Sequence, residues 1–271
     1  MAISRQAYYQ RQCRWEQEDE KRRRVLYLVR SKRLHQPRLG TRKLHHLMAP
    51  VLAAQGLGLG RDALFNLLRS AHLLVPTKRA YHKTTDSHHR FRRHPNLLKP
   101  GPEQVRPDAS EQVWVADITY VPTRERCAYL SLITDAYSRK IVGYHVHDSL
   151  HTAEVIQALK MALKGRQGNR PIIHHSDRGI QYCAHEYQAI HQKHGLICSM
   201  TDGYDCYQNA LAERVNGILK QEFLLHPPED LQEARHMVSQ SIAIYNQERP
   251  HFSLQLKTPD EVHRASLRAS S

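Results

Sequence analysis

Apolar residues follow two different spacings along the chain, and the change falls near residue 111. Before it they recur every three or four positions, the helical period. Residues 16–33, EQEDEKRRRVLYLVRSKR, lack Gly and Pro and predict a helix with a basic surface; Pro37 and Gly40 break it. Residues 41–55 carry Leu44, Leu47, Met48, Val51 and Leu52 at helical spacing, with Pro50 expected to end or kink the run. Gly56, Gly58 and Gly60 mark a turn. Residues 61–74 then set Leu64, Leu67, Leu68 and Ala71 on one face, with Arg61, Asn66 and Arg69 on others. Helix, glycine turn, helix is the outline of a helix-turn-helix, and equally of a plain helical bundle with a solvated face.

Beyond residue 111 the pattern is that of strands. VWVADITYVP (113–122) is β-branched and aromatic, TRER (123–126) is a turn candidate, and 128–138 and 140–148 are two further strands. Residues 151–164 predict an amphipathic helix capped by Thr152. A short apolar run (171–177) ends in a carboxylate, a helix (184–195) stops at Gly195, and another strand (196–201) follows. Helices at 208–224 and 230–248 complete the series. Three strands, helix, strand, helix, strand, helix is the order of a ribonuclease-H-like α/β domain: a mixed five-stranded sheet with helices, built from an antiparallel meander and crossover units. The expected organisation is a helical region (1–75), a basic Pro-containing linker (76–110), the α/β core (111–226), and a C-terminal helix and tail (227–271).

Charge sharpens this division. The 271 residues carry a net charge of +14. Residues 1–110 hold 23 Lys and Arg against 8 Asp and Glu, a net of +15; residues 111–271 hold 17 against 18. A basic arm on a neutral body points to one part that grips a polyanion and another that acts on it. On the helix-turn-helix reading the second helix (61–72) enters the major groove, with Arg42, Arg61, Asn66 and Arg69 as candidate DNA contacts and HHRFRRH (88–94) on phosphates. No stretch approaches the ~18 apolar residues of a membrane span. The N-terminus has no apolar run typical of a secretory signal. The five cysteines (Cys13, Cys127, Cys183, Cys198, Cys206) are odd in number and contain no CxxC pair, so reduced thiols in a cytoplasm are expected.

Three carboxylates stand out. Asp117 lies inside an otherwise apolar strand, where it costs desolvation unless paired or bound to a cation. Asp177 ends the fourth strand, at the mouth of the sheet. Glu213 sits one turn into the last helix of the α/β core, 208–224. Carboxylates from a strand, a strand end and a facing helix can converge on Mg²⁺, and two such ions roughly 3.5–4 Å apart can clamp both oxygens of a phosphoryl transfer. Other polar residues read as structural: Asp148 as a loop cap, Asp202 and Asp205 as solvated, Trp114 and the tyrosines as core. The pair His174 and His175 has no second His/Cys pair at zinc-site spacing.

The blocks HSDRGIQY (175–182), NALAERVNGILK (209–220) and YNQERPHFSLQLKTP (245–259) resemble the second-reading-frame transposases of the insertion sequence three family, and more broadly retroviral integrase cores. Thirty-five residues separate Asp177 from Glu213, the family's spacing. The resemblance implies that Asp117, Asp177 and Glu213 are a DDE triad holding two Mg²⁺ or Mn²⁺ ions. It implies cleavage and strand transfer at element ends, with a circular intermediate. It implies double-stranded DNA as partner, an oligomer assembled on DNA, and an upstream-frame partner or fusion. Lys220, seven residues after Glu213, matches the family's phosphate-contacting Lys/Arg; His175, Arg178 and Asn209 are further candidate DNA contacts beside the triad. Asp135 falls in a block that shapes strands. Arg249, Pro250 and His251 are expected to dock the last helix or touch DNA. The chain has Gln208-Asn209-Ala210 where the family often has Asp-Asn-Ala. Two rivals are a non-catalytic DNA-binding protein and a nuclease without joining activity.

Overall fold

The computed structural model describes residues 4–76, 94–202 and 209–270 and divides the chain into two compact units, 1–79 and 80–271. The first unit is all-helical: α1 (Arg5–His35), α2 (Thr41–Ala54) and α3 (Arg61–Ser70). Its core is Val25 and Val29 of α1 with Leu39, Leu44, Met48, Leu52, Leu57, Leu64 and Leu68. Helix α1 begins eleven residues earlier than its apolar pattern indicates, because residues 5–24 are all exposed and show no hydrophobic period. Local contacts hold them instead: the Ser4 cap on Ala7 N–H, Gln12 with Glu16, and the ion pair of Asp19 with Arg23 at 2.7 Å. Pro50 does not end α2; it lies on the exposed face, and the helix runs on to Ala54.

The second unit is built on a five-stranded sheet of order β3-β2-β1-β4-β5: β1 (Val113–Pro122), β2 (Cys127–Asp135), β3 (Ile141–His147), β4 (Ile173–Ser176) and β5 (Ile197–Met200). β1, β2 and β3 are antiparallel; β4 and β5 join β1 in parallel. The fold is the expected mixed five-stranded α/β core preceded by helices. One face packs on α4 (Thr152–Gly165), α5 (Ile180–Cys183) and α6 (His185–His194), through Trp114, Ala116 and Ile133 against Val155, Leu159, Tyr182 and Tyr187. Gly143 permits this: a Cβ there would collide with the Ala158 carbonyl and the Ala162 side chain. The other face takes α7 (Ala210–Ile218), its continuation as a π-helix (Leu219–Phe223), and α8 (Leu231–Gln247).

Several boundaries move. Strand β2 stops at Asp135, not 138, because the Asp135 carboxylate, fully buried, accepts from Ser138 N–H, Ser138 O–H and Glu111 N–H and turns the chain. Thr152 is the first residue of α4; His151 is its cap. Part of the expected linker belongs to the sheet unit: Leu97, Leu98 and Val105 pack beside Val113 and Ile173. The tail holds a further helix, α9 (Pro259–Ser270), opened by reciprocal bonds between Thr258 and Glu261. Its His263 reaches Ser138 at 3.0 Å, and its Asp260 pairs with Lys140. Among the described residues no helix is long and apolar enough to cross a membrane, and none of the four described cysteines is in a disulfide. Asp205, Cys206, Gln208 and residues 88–93 of the basic cluster lie outside the described residues.

Candidate active site

Asp117 sits midway along β1, opposite Leu132 of β2, on the face that α7 covers. Parallel pairing sets Val115 beside His175. Carried two residues further on each strand, the same register brings Asp117 level with Asp177, just past the end of β4. The side-chain alternation of strands keeps both on one face. Helix α7 crosses that face with Ala212, Val215 and Ile218 turned inward. Glu213 follows Ala212 in the first turn, where the helix dipole favours a carboxylate.

The three acids feel one another. Burial, and then the Asp177 charge, push the Asp117 carboxyl up to about 7, with Glu213 adding in the same direction. Hydrogen bonds from the Ile118 backbone and from Asn216 oppose the rise. Asn216, one turn after Ala212, donates from Nδ2 to Asp117 Oδ2 at 2.7 Å. Asp177 Oδ1 accepts from Gly179 N–H at 2.9 Å, and a Cβ on Gly179 would press on that same oxygen. Among the described residues no group of three His, Cys, Asp or Glu is gathered as a metal-binding cluster.

Lys220 lies on the π-helical continuation of α7. Burial lowers its pKa, and Asp117 and then Cys127 pull it back up, so its ammonium stands within electrostatic reach of Asp117. The π-segment is fastened from behind. Glu222 takes a bidentate bond from Arg249, both at 2.8 Å, with side chains 13% and 3% exposed. Arg249 in turn contacts His251, whose ring meets Tyr245 of α8 edge-on.

Comparison with known proteins matches the sequence to a family. Residues 107–206 match the integrase core domain, and residues 194–259 match a second description of the integrase core domain. The chain is 40% identical over 217 residues to the 31 kDa protein of insertion element IS600 from Shigella sonnei, covering 79% of this chain and 77% of that one. It is 33% identical over 171 residues to transposase InsF of insertion sequence IS3A from Escherichia coli K12, covering 63% of this chain and 58% of that one. The chain belongs to the insertion sequence three family of DDE transposases. It is therefore a DNA transposase with an integrase core, an enzyme of the polynucleotidyl-transferase type. The catalytic core of the HTLV-2 integrase is also similar, at 20% identity and a TM-score of 0.48, over 58% of this chain and 99% of that one.

Other residues expected to meet DNA fall in two groups. Arg42, Arg61, Asn66 and Arg69 are all exposed on α2 and α3 of the transposase; Arg61 pairs with Asp62, and Arg69 lies over Phe65 at 4.8 Å. Near the triad, His175 is fully buried and its Nδ1 meets Ser199 Oγ at 2.9 Å, so it presents no surface to DNA. Asn209 is also buried; its Nδ2 donates to the Ala116 carbonyl at 3.2 Å and ties the start of α7 to β1. Arg178 is half-buried beside Asp177. The sequence reading singled out neither Asn216 nor Glu222. Asn216 falls three residues after Glu213, nearly one helical turn, which is the available signal. Nothing local marks Glu222, whose partner is 27 residues away.

Proposed function

We propose that Asp117, Asp177 and Glu213 are the reaction centre of this transposase and would hold two Mg²⁺ (or Mn²⁺) ions. The chain would cut one DNA strand at an element end, release a 3′ hydroxyl, and join that hydroxyl to a phosphodiester of the target. The observation that carries this is the Asp117 carboxyl pushed up to about 7 by burial and by two like charges. The three candidate donors are all hard carboxylate oxygens, the set that Mg²⁺ prefers. Bound there, the ions would neutralise charge and activate the attacking oxygen.

The chain's own residues do the rest. Asn216 fixes one Asp117 oxygen by its hydrogen bond. Gly179 N–H holds one Asp177 oxygen. Lys220, held on the π-segment by the Glu222–Arg249 pair, contacts a DNA phosphate near the cut. The helical unit grips the terminal repeats through Arg42, Arg61, Asn66 and Arg69, with α3 as the recognition helix. The family resemblance supports double-stranded DNA as partner, an oligomer assembled on it, an upstream-frame partner or fusion, and a bacterial cytoplasm as the setting.

The test is a labelled element end incubated with the transposase in Mg²⁺ or in EDTA. Nicking and joining occur only with the metal, and Glu213→Gln loses both. Cleavage that persists in EDTA, or in Glu213→Gln, overturns the assignment. If the chain alone is inert, the same comparison is made with the upstream-frame fusion, and inertness there also overturns it.

A further inference from the structure

Asn209 stands at the cap position of α7, where an asparagine ordinarily accepts a backbone N–H of the first turn with its side-chain oxygen. Asn209 makes no such bond. It is 7% exposed, and its Nδ2 donates to the Ala116 carbonyl of β1 at 3.2 Å. A carbonyl only accepts, so this bond fixes which end of the amide meets β1. The other end, Oδ1, is buried and among the described residues has no hydrogen-bond partner. The fold thus carries an unpaired buried acceptor at a place where the common cap geometry would satisfy it. Helix stability alone does not account for this residue.

Its place relative to the acids does. Asn209 precedes Glu213 by four residues and Asn216 follows it by three, about one helical turn on either side. Asn209 bonds to residue 116 of β1, and Asn216 bonds to residue 117. The two amides therefore fasten α7 to consecutive residues of the strand that carries Asp117. Glu213 itself is exposed, so the course of α7 sets where its carboxylate stands. Asn216 bonds a carboxylate, whereas Asn209 bonds backbone, so the pull of Asn209 is on the helix.

We infer that Asn209 is a positioning residue for Glu213: through the Ala116 carbonyl it holds the first turn of α7 against β1 and so sets the separation of Glu213 from Asp117. The inference rests on the reading of those acids as the metal-holding centre. A displacement of about 1 Å between groups that act together can cost on the order of 100-fold in rate. The bond itself adds little to stability, because the unpaired Oδ1 offsets it. Removing Asn209 therefore disturbs the site more than the fold.

The test uses Asn209→Leu, which keeps the side-chain volume and removes the donor and the unpaired acceptor together; Asn209→Ala serves as the second variant. The probe is Mn²⁺ alone, added to the full chain without DNA, and thermal unfolding reads its binding. Without metal the Asn209→Leu midpoint stays within about 3 °C of the wild type. The Mn²⁺ concentration for half of the maximal rise in midpoint increases about tenfold. Glu213→Gln, which keeps the other two acids, raises that concentration as well, and in its background Asn209→Leu adds nothing, since the group it positions is gone. On labelled element ends kcat for joining falls while the dissociation constant for DNA is unchanged. A wild-type Mn²⁺ requirement in both Asn209 variants overturns the inference, whatever their midpoints. A full additional loss in the Glu213→Gln background overturns it too, since Asn209 would then act elsewhere. A Glu213→Gln chain that responds to Mn²⁺ like the wild type refutes the reading of the acids instead, and the inference falls with it.

Discussion

Asn216 Nδ2 stands 2.7 Å from Asp117 Oδ2, and this bond joins helix α7 to the middle of β1 beside the carboxylate that feels the Asp177 and Glu213 charges. With the Ile118 backbone bond, it holds the carboxylate against rotation. Removing it frees Asp117 without touching the three acids. Asn216→Ala is expected to lower strand transfer about 10–100-fold, the usual effect of deleting a group that orients a metal ligand. Raised Mg²⁺ should recover part of the loss. An unchanged rate and Mg²⁺ dependence would remove Asn216 from the site.

The Glu222–Arg249 pair is nearly dry, so losing one partner leaves an uncompensated charge. Arg249→Leu is expected to cost about 3–5 kcal/mol of stability. The double change Glu222→Leu, Arg249→Leu should recover most of it. Urea midpoints of the three proteins measure this, and equal midpoints would contradict it.

At Gly143 the α4 backbone lies against β3 with no space for a side chain. Gly143→Ala is expected to destabilise by about 1–3 kcal/mol through overpacking. Thermal unfolding reads the effect, and an unchanged midpoint would contradict it.

His191 of α6 is buried among aromatic rings, 4.7 Å from the His174 ring of β4 and 5.2 Å from Tyr187, and among the described residues neither of its ring nitrogens has a hydrogen-bond partner. Burial, with His94 adding to it, pulls its pKa down to about 4 from an ordinary value of 6.5. The unfolded chain therefore binds the proton first as pH falls. Stability from this residue is complete above pH 6.5 and is lost between 6.5 and 4, by about 3 kcal/mol at most. Urea midpoints at pH 7 and pH 5 should differ in the wild type and differ less in His191→Phe. Identical differences in the two would refute the assignment.

How much was legible depended on where each signal resided. A lone carboxylate in an apolar run marked Asp117, and β1 has the bounds its β-branched residues suggest. The recurrence of Leu44, Met48, Leu64 and Leu68 located two helices whose cores are those residues. Residues 5–15 are held by contacts along their own helix, so no hydrophobic period announces them. Helix α9 buries His263 and little that is apolar, but its Thr258, Pro259 and Glu261 form a readable start signal that the apolar pattern overlooked. The π-turn after Ile218 is fastened by Arg249, and Asn209 and His175 turn inward to Ala116 and Ser199. These are long-range pairings, which residue type and spacing do not encode.

The most direct measurement is strand transfer and DNA binding assayed side by side for the wild type and Asp177→Asn, with element ends and Mg²⁺. The change removes one carboxylate charge from the proposed triad and leaves the helical unit, with its basic excess, untouched. The account predicts that cleavage and joining are both abolished while the dissociation constant for element ends stays within about twofold, since phosphate contacts supply most of that affinity. Asp177→Asn that still joins ends at the wild-type rate would contradict it.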